Sequence, residues 1–337
     1  MPVRVGINGF GRIGRNVLRA LRGRDEIEVV AVNDITSPQV LGHLLRHDSV
    51  LGLYPGTVEI GANSLVVDGR EIEVLSAAEP GELPWRRLGV EVVIEASGLF
   101  TTAEKARRHI DPAGARKVII TAPAKGEDIT IVMGVNDGRY DPRSHDVISN
   151  ASCTTNCLAP AAKVLSDSFG IENGIMTTIH SYTSDQRLLD APHKDLRRAR
   201  AAALSMIPTS TGAAQAAALV LPELQGKFHG LAIRVPTPDV SLVDLTATLS
   251  RPTGVTEVNE AFRAAAAGSL NGILAVADEP LVSIDYAGNS NSSIVDAPTT
   301  AMSGDRLVKV LAWYDNEWGY SCRVVDLCLL VASRLSS

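Results

Sequence analysis

Apolar and polar positions follow two successive rhythms along the chain. Up to residue 149, short strand-like apolar runs alternate with helix-spaced apolar positions. Residues 3–7 read as a strand, Val17, Leu18 and Leu21 mark a helix, and residues 28–34 form a second strand ending in Asn33 and Asp34. Residues 40–45 and 102–109 have amphipathic helical spacing, and residues 90–95 and 117–121 read as strands on either side of the latter. This alternation predicts an α/β region with a Rossmann-type doubly wound parallel sheet. Past residue 151 the strands lengthen and alternate: 175–180, 231–235, 242–249 and 308–314. That pattern predicts an α+β region with a mixed or antiparallel sheet. Helical runs are expected over 157–169 and 315–335. Residues 201–222 carry no charge over a length that would span a bilayer. Pro208, Thr209, Ser210, Thr211 and Gln215 interrupt that stretch, so it reads as a loop leading into an Ala-rich buried helix over 212–221. The expected domains are a nucleotide-binding domain, 1–151, completed by a C-terminal helix, 316–337, and a catalytic domain, 152–315.

The first strand runs into Gly9-Phe10-Gly11-Arg12-Ile13-Gly14, and a helix follows at once. G-x-G-x-x-G alone is a weak signal. Here it lies between strand and helix, with Asp34 twenty residues after Gly14, the arrangement of a dinucleotide site. The glycines allow a tight turn and close backbone approach to a pyrophosphate on the helix N-terminus. Asp34 would accept from the ribose hydroxyls and repel a 2′-phosphate.

Cys153 lies in Ala-Ser-Cys-Thr-Thr-Asn, where a strand-like run passes into a helical one. Unpaired N–H groups and the helix dipole favour an anion there, which predicts a lowered thiol pKa. The same N–H groups could hold an oxyanion. Most cysteines in soluble proteins are small buried hydrophobes; a dinucleotide fingerprint, a candidate base and two anion sites set this one apart. The base is His180, near the end of a strand. The other six histidines lie in polar or helical contexts. Thr209-Ser210-Thr211-Gly212 precedes a helix, an arrangement suited to phosphate. Arg234 ends a short strand, and Arg197, Arg198 and Arg200 form a cationic loop, so the set suggests a phosphorylated substrate.

Composition narrows the classes. The 337 residues suit two domains, 45% are apolar, and a net charge of −6 leaves no basic footprint for nucleic acid. Cys153, Cys157, Cys322 and Cys328 have neither disulfide nor zinc spacing. With a strand starting at Val3 and no apolar leader before it, the expected location is a reducing cytoplasm, with no membrane attachment.

Eight stretches together resemble phosphorylating glyceraldehyde-3-phosphate dehydrogenase: GINGFGRIG at 6–14, Asn33-Asp34, SNASCTTNC at 149–157, HSYTSDQ at 180–186, DLRRARAA at 195–202, PTSTGAA at 208–214, RVPTP at 234–238 and WYDNEWGY at 313–320. The resemblance covers essentially the full length. It implies Cys153 as nucleophile and His180 as base, and a Cys thioester on the way from glyceraldehyde 3-phosphate to 1,3-bisphosphoglycerate. It implies that Ser152, Thr154, Thr211 and Gly212 serve inorganic phosphate, and that Thr183 and Arg234 serve the substrate's C3 phosphate. Arg12, Ile13, Asp34, Thr121 and Asn316 match NAD-holding positions, with Asn316 on the carboxamide. A homotetramer is also implied.

The sequence departs from the family pattern near the adenosine. Ala78 stands where many bacterial members carry arginine, and Ala191 where many NAD-specific members have leucine. NADP-using chloroplast-type members share that alanine but have serine in place of Pro192. Asp34 and Pro192 thus point to NAD, with some tolerance of NADP. Rival readings are a dehydrogenase of erythrose 4-phosphate or aspartate semialdehyde, a nicotinamide-binding protein without turnover, and a Cys–His hydrolase. Tyr182-Thr183 and the hydroxyl–Gly run at 209–212 favour the glyceraldehyde enzyme, and a hydrolase has no use for a dinucleotide site.

Overall fold

The computed structural model describes residues 1–335, so residues 336 and 337 of the expected C-terminal helix lie outside the described residues. The chain divides into two compact units. One comprises Met1–Ile131, Asp137–Ala151 and the stretch from Ser321 onward, and the other Val132–Asn136 and Ser152–Tyr320.

The first unit opens with β1 (Val3–Asn8), α1 (Arg12–Ala20), β2 (Ile27–Asn33) and α2 (Pro38–Arg46). A small separate hairpin follows, β3 (His47–Asp48) and β4 (Gly52–Leu53), then β5 (Val58–Ile60), β6 (Ser64–Val67) and β7 (Arg70–Leu75). The rest is β8 (Val92–Glu95), α3 (Ala103–Ala106), β9 (Lys117–Ile120), β10 (Ile129–Thr130) and β11 (Val147–Ser149). The nine-stranded sheet has the order β10-β11-β9-β8-β1-β2-β7-β6-β5. From β10 to β7 all pairs are parallel. Every residue of β8 and β9 is buried, as strands covered on both faces require. This is the doubly wound sheet that the alternation predicts.

The edge differs from expectation. β5, β6 and β7 form an antiparallel meander that the sequence pattern did not reveal. The helix expected over 102–109 is a single α-turn, α3, followed by a 3-10 turn at Arg107–His109. That turn buries His109 completely: Trp85 Nε1 donates to its Nδ1 at 3.0 Å, leaving Nε2–H to donate to Glu95 at 2.9 Å. Glu95 also accepts from Asn8 at 2.5 Å, and Asn33 donates to Asn8 at 2.7 Å. This buried chain fixes two asparagines at the C-terminal ends of β1 and β2.

The second unit starts with α4 (Cys153–Phe169) and β12 (Ile171–Ser181), then β13 (Ile207–Ser210), α5 (Ala213–Val220), β14 (Phe228–Val235) and β15 (Ser241–Leu249). It continues with α6 (Val255–Ala267), β16 (Leu274–Ala277), β17 (Ser293–Asp296), β18 (Ala301–Ser303) and β19 (Leu307–Tyr314). The final helix, α7 (Trp318–Arg334), belongs from Ser321 onward to the first unit. The sheet order is β13-β14-β12-β15-β19-β17-β16, with β18 pairing with β19. β12–β14 and β16–β17 are parallel and the other pairs antiparallel, so the sheet is mixed. Along β15 every second residue is buried, the signature of a sheet with one covered face. α4, α5 and α6 pack together on this unit, and α4 lies against β15, β17 and β19. Among the described residues, no helix is long and apolar enough to cross a membrane.

Candidate active site

The dinucleotide fingerprint sits where β1 turns into α1. Gly9 has φ +88°, and a Cβ there would lie 2.4 Å from the backbone nitrogen of Ser97. A Cβ on Gly14 would lie 2.2 Å from the carbonyl oxygen of Gly9. Both positions exclude a side chain, and Gly11 caps α1. A cleft of about 240 Å³ opens beside them, lined by Asn8, Gly9, Gly11, Asn33, Asp34 and Ala78, among others. Asp34 accepts from the backbone N–H groups of Phe10 at 3.0 Å and Thr36 at 3.1 Å. The carboxylate is thus held at the rim, with lone pairs left for a ribose diol. Arg12, in the first turn of α1, is ion-paired with Asp48 at 2.6 Å, and Ile13 follows it. Thr121, just past β9, bonds back to the Glu95 carbonyl at 3.1 Å. The lining, the glycines and the carboxylate fit an adenosine diphosphate half.

The second unit holds the candidate reactive groups. Ser152 caps α4, accepting from Thr155 N–H at 3.1 Å, so Cys153 begins the helix. Its Sγ lies 3.5 Å from His180 Nε2. Register explains the next neighbour. β12 and β14 pair in parallel with His180 opposite Arg234, and Arg234 Nη1 comes within 2.9 Å of His180 Nδ1. The same Nη1 donates to the Ser181 carbonyl and to Thr183 Oγ1, both at 3.2 Å. Thr183 bonds to Asp185, which accepts from Arg198 at 2.6 Å. Arg198 also donates to Thr209 at 3.0 Å. Cys153, His180, Arg234, Thr183 and Arg198 therefore lie on one continuous polar chain. Arg234 Nε is buried and has no partner in the protein, a donor placed for an anion.

The thiol does not follow the expectation of a lowered pKa. Burial pushes Cys153 up, while Arg234 and the hydrogen bonds from Thr154 act against that without overcoming it. Burial first and Arg234 second push His180 down to about 3. The imidazole is therefore neutral near pH 7, which gives it a lone pair to use. Its Nδ1 lies 2.7 Å from the Ser181 carbonyl. With Nδ1–H donated there, Nε2 faces the sulfur as an acceptor. The imidazole Nε2 thus offers its lone pair to the thiol.

The other site residues occupy distinct places. Thr154 shares its hydroxyl hydrogen bond with Tyr314 at 2.9 Å, and Tyr314 bonds equally to Thr178. Thr211 accepts from Ala213 N–H at 3.2 Å at the start of α5, next to exposed Gly212. Asn316, two residues past β19, is held by Ser181 and Ser241. Asp185, Ser181, Ser241 and Tyr314 were not assigned from sequence. HSYTSDQ and WYDNEWGY contain three of them, but only the folded register shows what they touch.

One further group was invisible in the sequence. Asp239 is buried, with its carboxyl beside that of Asp315. Burial first, then the neighbouring Asp315 carboxylate, push it up to about 8. A contact between two acids holds only when one carries a proton. The unfolded chain loses that proton near the ordinary carboxylate pKa, and the folded chain keeps it to about pH 8. Stability should accordingly fall as pH rises between those limits. Asp239→Asn is expected to melt higher than the parent, with a gap that widens from about pH 4 to about pH 8 and then levels. A gap independent of pH in melting scans would contradict this.

Comparison with known proteins identifies the family. Residues 3–103 match the profile described as glyceraldehyde 3-phosphate dehydrogenase, NAD binding domain. Residues 152–316 match that described as glyceraldehyde 3-phosphate dehydrogenase, C-terminal domain. The chain belongs to the glyceraldehyde-3-phosphate dehydrogenase family. It is 61% identical over 334 residues to glyceraldehyde-3-phosphate dehydrogenase of Geobacillus stearothermophilus, covering 99% of each chain. Glyceraldehyde-3-phosphate dehydrogenase 1 of Bacillus subtilis (strain 168) is 60% identical over the same share of each. Glyceraldehyde-3-phosphate dehydrogenase 2 of Streptomyces arenae is 57% identical, over 99% of this chain and 100% of its own. These relatives favour the glyceraldehyde enzyme over the erythrose 4-phosphate alternative, and the family's NAD-binding domain makes NAD the cofactor.

Proposed function

We propose that this NAD-dependent dehydrogenase of glyceraldehyde 3-phosphate works through a thioester on Cys153. Cys153 Sγ adds to the aldehyde carbon as His180 Nε2 takes the thiol proton. The proton returns to the new alkoxide, giving a hemithioacetal. His180 then removes that hydroxyl proton as the carbon gives up hydride, leaving an acyl thioester. NAD, when bound, supplies the hydride acceptor. Inorganic phosphate attacks the acyl carbon, the C–S bond breaks, and 1,3-bisphosphoglycerate leaves while the sulfur recovers its proton. The 3.5 Å contact between Cys153 and His180, backed by Arg234, carries this reading.

Arg234 and Thr183 would take the C3 phosphate, since the buried Arg234 Nε is a spare donor. Ser152, Thr154, Thr211 and Gly212 would serve inorganic phosphate through the N-terminal turns of α4 and α5. The first unit would be the NAD-binding domain, with Gly9, Gly11, Arg12, Ile13, Gly14, Asp34 and Thr121 on the cofactor. The second would be the catalytic domain, with Asn316 on the carboxamide. NADH formation at 340 nm with glyceraldehyde 3-phosphate should require inorganic phosphate for sustained turnover. Equal turnover without phosphate would refute the phosphorylating reaction.

Asp34 should set the cofactor preference. A 2′-phosphate placed beside its carboxylate meets like-charge repulsion in a partly dehydrated cleft. The expected preference for NAD is at least about tenfold in kcat/KM, roughly 1.4 kcal/mol. Asp34→Gly should narrow it, and an unchanged ratio would contradict the assignment.

The chain would act as a homotetramer in the cytoplasm. Leu188, Leu189, Leu196, Leu204 and Met206 are each more than 70% exposed within one loop region, apolar area suited to a neighbouring subunit. The four cysteines are free thiols, which suits a reducing compartment. Light scattering should give about four times the 35.7 kDa chain mass, and a single-chain mass at micromolar concentration would contradict the tetramer.

A further inference from the structure

Three neighbouring strand ends meet at one carboxamide. β12 ends at Ser181, β15 begins at Ser241, and β19 ends at Tyr314, two residues before Asn316. Ser241 pairs with Tyr314, while Ile179 of β12 pairs with Leu242 of β15. Ser181 Oγ donates to Asn316 Oδ1 at 2.8 Å, and Ser241 Oγ donates to the same oxygen at 2.7 Å. Ser241 Oγ in turn accepts from Ser181 N–H at 3.1 Å. All three residues are buried. Asp315 fixes the turn from the other side, accepting from the N–H groups of Gly288, Glu317 and Trp318.

These bonds decide which way the Asn316 amide faces. A carboxamide oxygen has two lone-pair directions, and both are occupied by serine hydroxyls. Rotating the amide by half a turn would set its NH₂ against the two hydroxyls. Their two hydrogens would then have only one acceptor between them, at best across the 3.4 Å gap between the oxygens. One buried donor would be left unpaired, which is the costly outcome. Immediately before Ser241 lies Val240, a β-branched residue held at φ +62°. Such a conformation persists where its surroundings over-determine it.

We infer that Ser181 and Ser241 are positioning residues that lock Asn316 with its NH₂ outward, so that this point of the site accepts a carbonyl oxygen and refuses an amide N–H. The inference rests on the reading that Asn316 holds the nicotinamide carboxamide. It deepens that reading by assigning the carboxamide's oxygen to the contact and by naming what enforces the choice. Ser181 follows His180 directly, so one strand end sets both the base and the cofactor clamp.

Calorimetric titration of the full-length protein with NAD⁺, its 3-acetylpyridine analogue and ADP-ribose tests this. The analogue keeps the carbonyl and replaces NH₂ by methyl, and ADP-ribose lacks the ring altogether. The parent should bind NAD⁺ and the analogue with dissociation constants within a few-fold of each other. Ser181→Ala combined with Ser241→Ala should weaken both by about tenfold, the scale of one lost buried hydrogen bond. ADP-ribose should bind unchanged. In an Asn316→Ala background the serine substitutions should have no further effect. Equal weakening of ADP-ribose would assign the serines a merely structural role and overturn the proposal, as would unchanged NAD⁺ binding. Unchanged NAD⁺ affinity in Asn316→Ala alone would instead remove the carboxamide assignment beneath it.

Discussion

Cys153→Ser should abolish nearly all turnover, and His180→Asn should slow acylation by about 10²–10⁴, the usual worth of a positioned acid–base group. A serine hydroxyl is far less ionised and less nucleophilic at neutral pH than a thiol. The structure sharpens the second half of the prediction. Burial pushes the Cys153 pKa up, which increases the need for a proton acceptor, and the imidazole lies 3.5 Å away. His180 is suited to that task because burial and Arg234 hold it neutral, with its pKa at about 3. Asparagine preserves some hydrogen bonding but cannot take a proton. Stopped-flow measurement of the first turnover separates acylation from later steps. Parent-like acylation in either variant would overturn the assignment of nucleophile or base.

The sequence exposed those features whose physics is local. The fingerprint 9–14 needs only a strand, a helix and three glycines, and the structure places each where the pattern implied. Ser152 as a cap and Cys153 at a helix start are likewise readable from neighbouring residues. What escaped depends on contacts between distant segments. The antiparallel meander β5–β7 is built from strands of three to six residues, too short to show a period. At Cys153 the helix N-terminus is visible in sequence, whereas the desolvation that acts against it is not. Arg234 beside His180 follows from the β12–β14 register, which pairs positions 54 residues apart. Asp239 beside Asp315 has no motif at all; only the fold brings the two acids together.

Arg234→Leu is expected to damage use of the phosphorylated aldehyde far more than use of unphosphorylated glyceraldehyde. Arg234 Nη1 donates to the Ser181 carbonyl and Thr183, while the buried Nε has no protein partner. A substrate phosphate would complete it. Losing one charge-assisted hydrogen bond costs about 1.5–3 kcal/mol, a factor of ten or more in kcat/KM. Some loss should appear with both aldehydes, because the guanidinium also lowers the Cys153 pKa and that of His180. The ratio of the two kcat/KM values isolates the phosphate contact from this shared effect. Thr211→Ala provides the opposite case. Thr211 stands at the start of α5, accepting from Ala213 N–H, one residue past Ser210, whose carbonyl accepts from Arg198. Its variant should raise KM for inorganic phosphate and leave KM for the triose phosphate near the parent value. Should both substitutions weaken both ligands equally, the two phosphates would share one site, and the separation of roles between Arg234 and Thr211 would fail.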